Sequence, residues 1–338
     1  MTNKIISFFL FLAGITVNAQ TFTGKISDAT TNEPIESVSV YFDNTTVGTT
    51  TNEKGEFSIE YSDVVQSTLV ISYLGYEKVF ITDYRDKTTI TILLKEAINE
   101  LDAVVINTDD GMSRSEKLRW FRKEFLGSSR NAKSSKILNE KDLRFRYDKR
   151  TKTLMAWSNG PVIVKNKNLQ YEISFDIIDF EIVMGNWNSA SVVYTGTSFY
   201  KDLDEKGKNR TQKNREKAYK GSVQHFMRAL YTKNLEKEGY IFGSRGFKVN
   251  PYDFFTIYNT DNLGYKTVAL KQKLDVFYKD VIASIIQTTT PEFRVDRYGN
   301  YDPITDVLFG GNMGSQRVGD ALPLDFGLDK NEANNPKN

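Results

Sequence analysis

From Phe22 onward, apolar and polar residues alternate one by one in short runs. Val38, Val40 and Phe42 alternate with Ser37, Ser39 and Tyr41; Phe57, Ile59 and Tyr61 with Ser58 and Glu60; Ile90, Ile92 and Leu94 with Thr89, Thr91 and Leu93. A period of two places one set of side chains on a core and the other on solvent, the signature of a half-buried strand. Turn-forming clusters separate the runs: Asp28 to Pro34, Asp43-Asn44, Asn52 to Gly55, Gly75 and Asp83 to Lys87. About seven short strands with no helical period predict an antiparallel β-sandwich over residues 21–97.

The pattern then changes. Residues 98–112 read as a connecting strand and linker. Over Ser113 to Leu126, Leu118, Phe121 and Phe125 recur at helical spacing behind a serine cap with Glu116 three residues on, a capping box. Period two returns at Leu143, Phe145 and Tyr147, then over Leu154–Trp157, Pro161–Val164, Leu169–Ile182 and Ala190–Phe199, which predicts a β-meander. The segment from Gln212 to Lys220 reads as helical. Ser222 caps a further helix in which Val223, Phe226, Met227, Leu230 and Tyr231 share one face, with Gly239 as its stop. More short strands follow, including Leu274–Tyr278 and Ala283–Gln287. Residues 113–326 are therefore expected to form an α+β domain with two or three helices, and 327–338 a polar, disordered tail.

The first 19 residues carry a different signal. Lys4 precedes the apolar run Ile5 to Val17, which is shorter than the roughly 20 residues needed to span a bilayer core, and Val17-Asn18-Ala19 suits a signal peptidase. This predicts an exported chain cleaved after Ala19, with an uncleaved membrane anchor as the alternative.

Composition narrows the chemistry. The chain has 338 residues, 45 basic and 43 acidic, a balance that argues against a dedicated nucleic-acid binder. It has no cysteine, which excludes disulfides, thiolate catalysis and cysteine-ligated metals, and one histidine, His225, which excludes any site that needs two. Export without disulfides fits a Gram-negative envelope.

The ordered elements Gly24-Lys25-Ile26-Ser27-Asp28, Pro34-Ile35, Ser39-Val40, Gly48 to Asn52, Gly55-Glu56-Phe57 and Ser72-Tyr73-Leu74-Gly75-Tyr76 resemble the carboxypeptidase regulatory-like domain, a transthyretin-like seven-stranded sandwich. Asn52 stands where that family more often has Asp, and it preserves the turn chemistry. Glu100 to Ile106 is similar to the strand that follows this domain in TonB-dependent outer-membrane receptors of Bacteroidetes, although the remaining chain is too short for a plug and a large barrel. The resemblance implies a fold and an envelope location. It implies no peptidase activity, because the zinc site of metallocarboxypeptidases needs histidine ligands that this chain lacks. Trp120-Phe121, Tyr219 to Leu230 and Arg317 to Pro323 resemble an uncharacterised domain that follows the module in flavobacterial envelope proteins.

Several residues are candidates for chemistry. His225 is the lone histidine base, Ser198 and Lys201 have the spacing of a serine–lysine nucleophile, and Asp176, Asp179 and Glu181 form a carboxylate cluster, with Asp179 and Glu181 expected to share a solvent face. Trp120, Trp157 and Trp187 are candidate sugar or interface contacts, more often found in cores. The basic run from Lys201 to Lys220, with Arg210, Lys213, Arg215 and Lys217, suits an anionic partner or a solvated helix face. No catalytic, cofactor or metal site is assigned. Arg210, Lys213, Arg215, Lys217 and His225 are the candidate partner-binding residues.

The expectation is a mainly β, non-catalytic envelope protein, periplasmic or at the outer membrane, that binds a protein or glycan. Two alternatives are a hydrolase using His225 with nearby carboxylates and a small outer-membrane β-barrel.

Overall fold

The structure, a computed structural model, describes residues 20–61, 67–97, 110–185, 190–204, 206–259, 264–279 and 282–328. Residues 1–19, Glu100–Ile106, Trp187 and the residues beyond 328 lie outside them. Buried side chains gather into three cores, one in the N-terminal sandwich and two within the stretch expected as a single α+β domain.

The sandwich has seven strands in two sheets. Glu56–Tyr61, Gln20–Asp28 and Thr89–Leu94 form one, and Gly48–Thr50, Ser39–Phe42, Leu69–Ser72 and Val79–Ile81 the other, in those orders. The alternation read from sequence is what packs it: Phe57, Ile59 and Tyr61 are buried, and Ser58 and Glu60 are exposed. One pairing departs from the antiparallel expectation, since Thr23–Asp28 runs parallel to Thr89–Leu94. The turn at 52–56 forms as its residues dictate. Asn52 Oδ1 accepts from the N–H groups of Lys54 and Glu56, and Gly55 takes φ +73°, which a side chain would resist.

The second core lies under a six-stranded sheet. Helix α1 (Arg114–Leu126) starts at the Ser113–Glu116 capping box and stacks Phe121 and Phe125 on the sheet. A single turn, α2 (Arg130–Lys133), follows. The long strand Tyr171–Met184 is the spine. One edge pairs with Ala190–Asp202, and the other with Val162–Asn166 and Thr153–Trp157 placed end to end. Ser135–Ile137 and Arg144–Asp148 close the outer edges. The strands from Val162 to Asp202 form the expected meander. A register shift between Ile177 and Asp179 flips which parity faces the core, from Ile173 and Phe175 to Phe180 and Ile182.

Helix α3 (Asn209–Tyr219) leads to α4 (Val223–Tyr231), which Ser222 caps. Phe226 of α4 touches Tyr240, Phe242, Phe255 and Phe309 and so fills the space between two further sheets. Their strand orders are Phe247–Val249, Tyr240–Ser244, Leu274–Tyr278, Ile282–Thr288, Val307–Gly310 and Phe255–Asn259, Tyr265–Leu270, Glu292–Asp296, Tyr301–Asp302. A single turn, α5 (Gly311–Gly314), and a 3-10 turn, Val318–Asp320, follow. The five sheets do not close into a barrel among the described residues, and none of the described helices is long and apolar enough to cross a membrane.

Residues 316–326 tie all three cores together. Gln316 accepts from Val223 N–H, Gly319 carbonyl from Asn166, Asp320 from Ser129 and Asn131, and Leu324 N–H donates to Asn44 carbonyl. Arg228 fixes the end of this strap, its guanidinium donating to the carbonyls of Tyr298, Leu324 and Phe326.

Candidate functional site

The sandwich covers part of the outer face of the second sheet, and a polar network lies at this junction. On the sandwich side, Tyr41 and Val70 sit opposite each other and point away from their own core. Tyr41, which the alternating pattern assigns to solvent, is only 4% exposed, because Phe199 of the facing sheet packs on its ring at 5.6 Å. Gly48 allows this approach, since a Cβ there would lie 2.6 Å from the Phe199 ring. The backbones also join: Asn44 N–H donates to Ser198 carbonyl at 2.7 Å and Tyr200 N–H to Thr45 carbonyl at 2.9 Å, a parallel bridge between the two units.

Asp176 is the centre of the junction. It is buried, and its carboxylate accepts from Tyr41 hydroxyl at 3.1 Å and Ser72 at 3.4 Å while Lys78 Nζ stands 2.9 Å away. Thr197 Oγ1 lies 3.0 Å from the same Tyr41 hydroxyl. Burial, then the Asp176 charge, raises the Tyr41 pKa far above its ordinary value. Asp43 receives the Ser198 N–H at 2.7 Å, yet burial pushes its carboxyl up to about 6, with Asp176 adding to the rise.

Beside this network a cleft of about 370 Å³ opens between Ser72–Phe80 of the sandwich and Asn159–Pro161, Asp176 and Ile178 of the second sheet. Three large apolar side chains meet it from solvent: Leu74 is 70%, Ile178 60% and Phe80 49% exposed. Ile178 sits at the register shift that follows Ile177. Phe80 belongs to Val79–Ile81, which pairs on one side only, with Leu69–Ser72, among the described residues. A ridge of Tyr73 and Tyr76, with rings 5.5 Å apart, separates the cleft from a groove of about 450 Å³ lined by Asp28, Glu33, Glu36 and Glu96. Tyr76 hydroxyl donates to Asp28 at 2.8 Å, which together with burial pushes the phenol up to about 12. The backbone N–H groups of Thr31 and Thr30, with Tyr76, hold the Asp28 carboxyl low.

The residues singled out by sequence are not brought together here. His225 is 4% exposed: Gly221 N–H donates to Nδ1, Tyr240 hydroxyl is 2.9 Å from that nitrogen, and Nε2 faces Glu238 at 3.2 Å. Gly221 makes Nδ1 an acceptor, so the ring proton sits on Nε2. Burial pulls the His225 pKa down, partly opposed by Glu238. Arg215 is 7% exposed; it donates to the carbonyls of Leu169 and Gln170, pairs with Asp202 at 2.7 and 2.9 Å and lies over the Tyr171 ring. His225 and Arg215, expected among the partner-binding residues, are thus buried and engaged within the chain, whereas Arg210, Lys213 and Lys217 are exposed on α3. Ser198 and Lys201, three apart on one strand, point to opposite faces, and Ser198 Oγ bonds Asn44. Asp179 is exposed and Glu181 partly so, while Asp176 turns into the junction. Trp120 and Trp157 are half-buried, with Lys123 over the Trp120 ring.

Sequence reasoning missed Tyr41, Lys78 and the cleft. The signal was present in part, since the Tyr73-Leu74-Gly75-Tyr76 motif lines the cleft.

Comparison with known proteins bears on this half of the molecule. Residues 22–106 match the CarboxypepD_reg-like domain family, which covers the sandwich and the sandwich wall of the cleft. The curated proteins give no match. Among solved structures, a 9R-lipoxygenase from Cyanothece PCC8801 aligns at 11% identity and TM-score 0.19, over 63% of this chain and 48% of its own. The chain thus spans about half of that structure's length, and the likeness carries no argument about fold or activity.

Proposed function

We propose that this chain is a non-catalytic binding or adaptor protein of the cell envelope, and that the junction cleft holds an extended, apolar segment of a partner protein. The carrying observation is the convergence of exposed Leu74, Phe80 and Ile178 on a concave site beside a strand edge that is unpaired among the described residues. A strand edge offers unpaired N–H and C=O groups in a row, and a peptide laid along it gains main-chain bonds while alternate side chains enter the apolar cleft. The three large apolar side chains exposed around it, two of them aliphatic, favour a protein segment over a glycan. Rigid walls favour binding over a moving catalytic lid: Asp176, Tyr41 and Lys78 fix one side against the other. The leader-like first 19 residues and the regulatory-like domain support an exported, periplasmic or outer-membrane location.

The test is selection of random peptides displayed on phage against the purified chain and against Leu74→Asp/Ile178→Asp. The proposal expects enriched peptides with apolar residues at every second position, bound at least tenfold more weakly by the double variant at unchanged Tm. No enrichment, or enrichment that the variant retains, overturns it.

A further inference from the structure

A second surface, away from the cleft, carries its own signal. Strand register lines up Lys136, Lys165, Glu172 and Lys201 side by side across four adjacent strands of the second sheet. The three lysines are exposed. One step away, the strands Val162–Asn166 and Tyr171–Met184 are joined by the 167–170 turn, which presents Lys167. Helix α3 is fastened to that turn, through Asn214 to the carbonyl of Asn168 and Arg215 to those of Leu169 and Gln170. Because Arg215 points inward, Arg210, Lys213 and Lys217 lie on the opposite, exposed arc of the helix.

The sheet row, the turn and the helix thus make one basic tip. Among the described residues none of these exposed cations is held in an ion pair, while Asp202 is consumed by Arg215 and Asp204 is buried. Among the described residues of these strand ends and α3, that leaves Glu172 and Glu216 as countercharges. Six of the seven cations named at this tip are lysines. Lysine is a mobile point charge, suited to a diffuse array of headgroups, whereas a discrete carboxylate or phosphate site is usually built with forked arginines.

We infer that this tip docks the protein on an anionic lipid surface. The inference is independent of the cleft: the basic row lies at the start of the strand Tyr171–Met184 and the cleft begins at Asp176 in its middle, the two share no residue, and each stands if the other fails. Each lysine near an anionic leaflet contributes about fivefold in affinity, and the attraction fades with salt as the screening length shortens.

The experiment is co-sedimentation of the full chain with phosphatidylcholine vesicles, with and without about one third phosphatidylglycerol. The expected result is binding only to the anionic vesicles, at least tenfold weaker when salt rises from about 0.05 to 0.5 M. Lys136→Gln/Lys165→Gln/Lys201→Gln weakens binding roughly a hundredfold by the same per-lysine factor, with an unchanged Tm showing that the fold is intact. Lys248→Gln, on a strand of the third core, leaves binding as it was. Equal binding to neutral vesicles, no binding at low salt, or full binding by a folded triple variant overturns the inference. Capture of polyglutamate with no capture of anionic vesicles does so as well, by reassigning the tip to an acidic polypeptide.

Discussion

The Tyr41 hydroxyl of the N-terminal sandwich lies 3.1 Å from the Asp176 carboxylate of the facing sheet, and Lys78 completes the contact from the sandwich side. Two residues 135 positions apart in sequence thereby fix one wall of the cleft against the other. A hydrogen bond to a buried charge contributes about 1.5–3 kcal/mol, more than a neutral one. Tyr41→Phe is expected to lower stability by about 2 kcal/mol with its ring packing on Phe199 intact, measured by urea unfolding. Asp176→Ala, which strands both Lys78 and Tyr41, is expected to cost about 3–4 kcal/mol. Equal effects of the two variants would contradict Asp176 as the hub.

Asp43 makes the same junction sensitive to pH. Its folded-state pKa is raised from 3.8 to about 6, so the folded chain binds this proton more tightly than the unfolded chain. Its contribution is therefore complete below about 4 and lost as pH rises through about 6. Asp43→Asn keeps the acceptor for Ser198 N–H and removes the charge; it is expected to stabilise the chain by about 1–2 kcal/mol at pH 7 and by little at pH 4. His225 works in the opposite sense. Its pKa is depressed below 6.5 by burial, so its contribution is present above 6.5 and lost as pH falls. Unfolding curves of Asp43→Asn and His225→Gln at several pH values separate the two.

Arg228 closes the strap. It reaches the carbonyls of Tyr298, Leu324 and Phe326 from a nearly buried position. Lysine cannot reproduce this fork, so Arg228→Lys is expected to cost about 2–3 kcal/mol and to expose 321–328 to protease before the rest of the chain. Protection of that segment equal to wild type would show that the strap is held elsewhere.

Gly48 sets the distance between the units. A methyl group there must displace the Phe199 ring, so Gly48→Ala is expected to cost about 1–3 kcal/mol. Gly207, with nothing near its Cβ position, sits at φ +60° in a loop, where alanine acts only through the backbone. A stability change at Gly48 that Phe199→Ala fails to relieve would argue against the clash.

Much of the local structure is legible in the residues. Alternation gave the seven strands of the sandwich, Asn52 and Gly55 their turn, Ser113 and Glu116 the start of α1, and Ser222 the start of α4. What alternation cannot express is what covers a strand's second face. Tyr41 reads as solvent-facing because Val40 and Phe42 face the core, yet another sheet lies on it. Asp176 is buried for the same reason, and the shift after Ile177 breaks the period inside one apolar run, so the inward turn of Phe180 and Ile182 does not follow from counting by twos from Ile173 and Phe175. The parallel pairing of Thr23–Asp28 with Thr89–Leu94 and the division of 113–326 into two cores are set by long-range contacts that leave no local period. The basic run was visible as charge, but only the fold shows that Arg215 turns inward and that Lys136, Lys165 and Lys201 join the tip.

The central claim is that the cleft is occupied by a partner protein in the envelope. The most direct measurement places a photoreactive phenylalanine analogue at Phe80 in living cells, with Phe247, 76% exposed on the strand Phe247–Val249, as the control position. The account predicts a discrete protein adduct in the envelope fraction from position 80, absent from position 247 and lost with Leu74→Asp/Ile178→Asp. No adduct from position 80, or the same adducts from both positions, would contradict it.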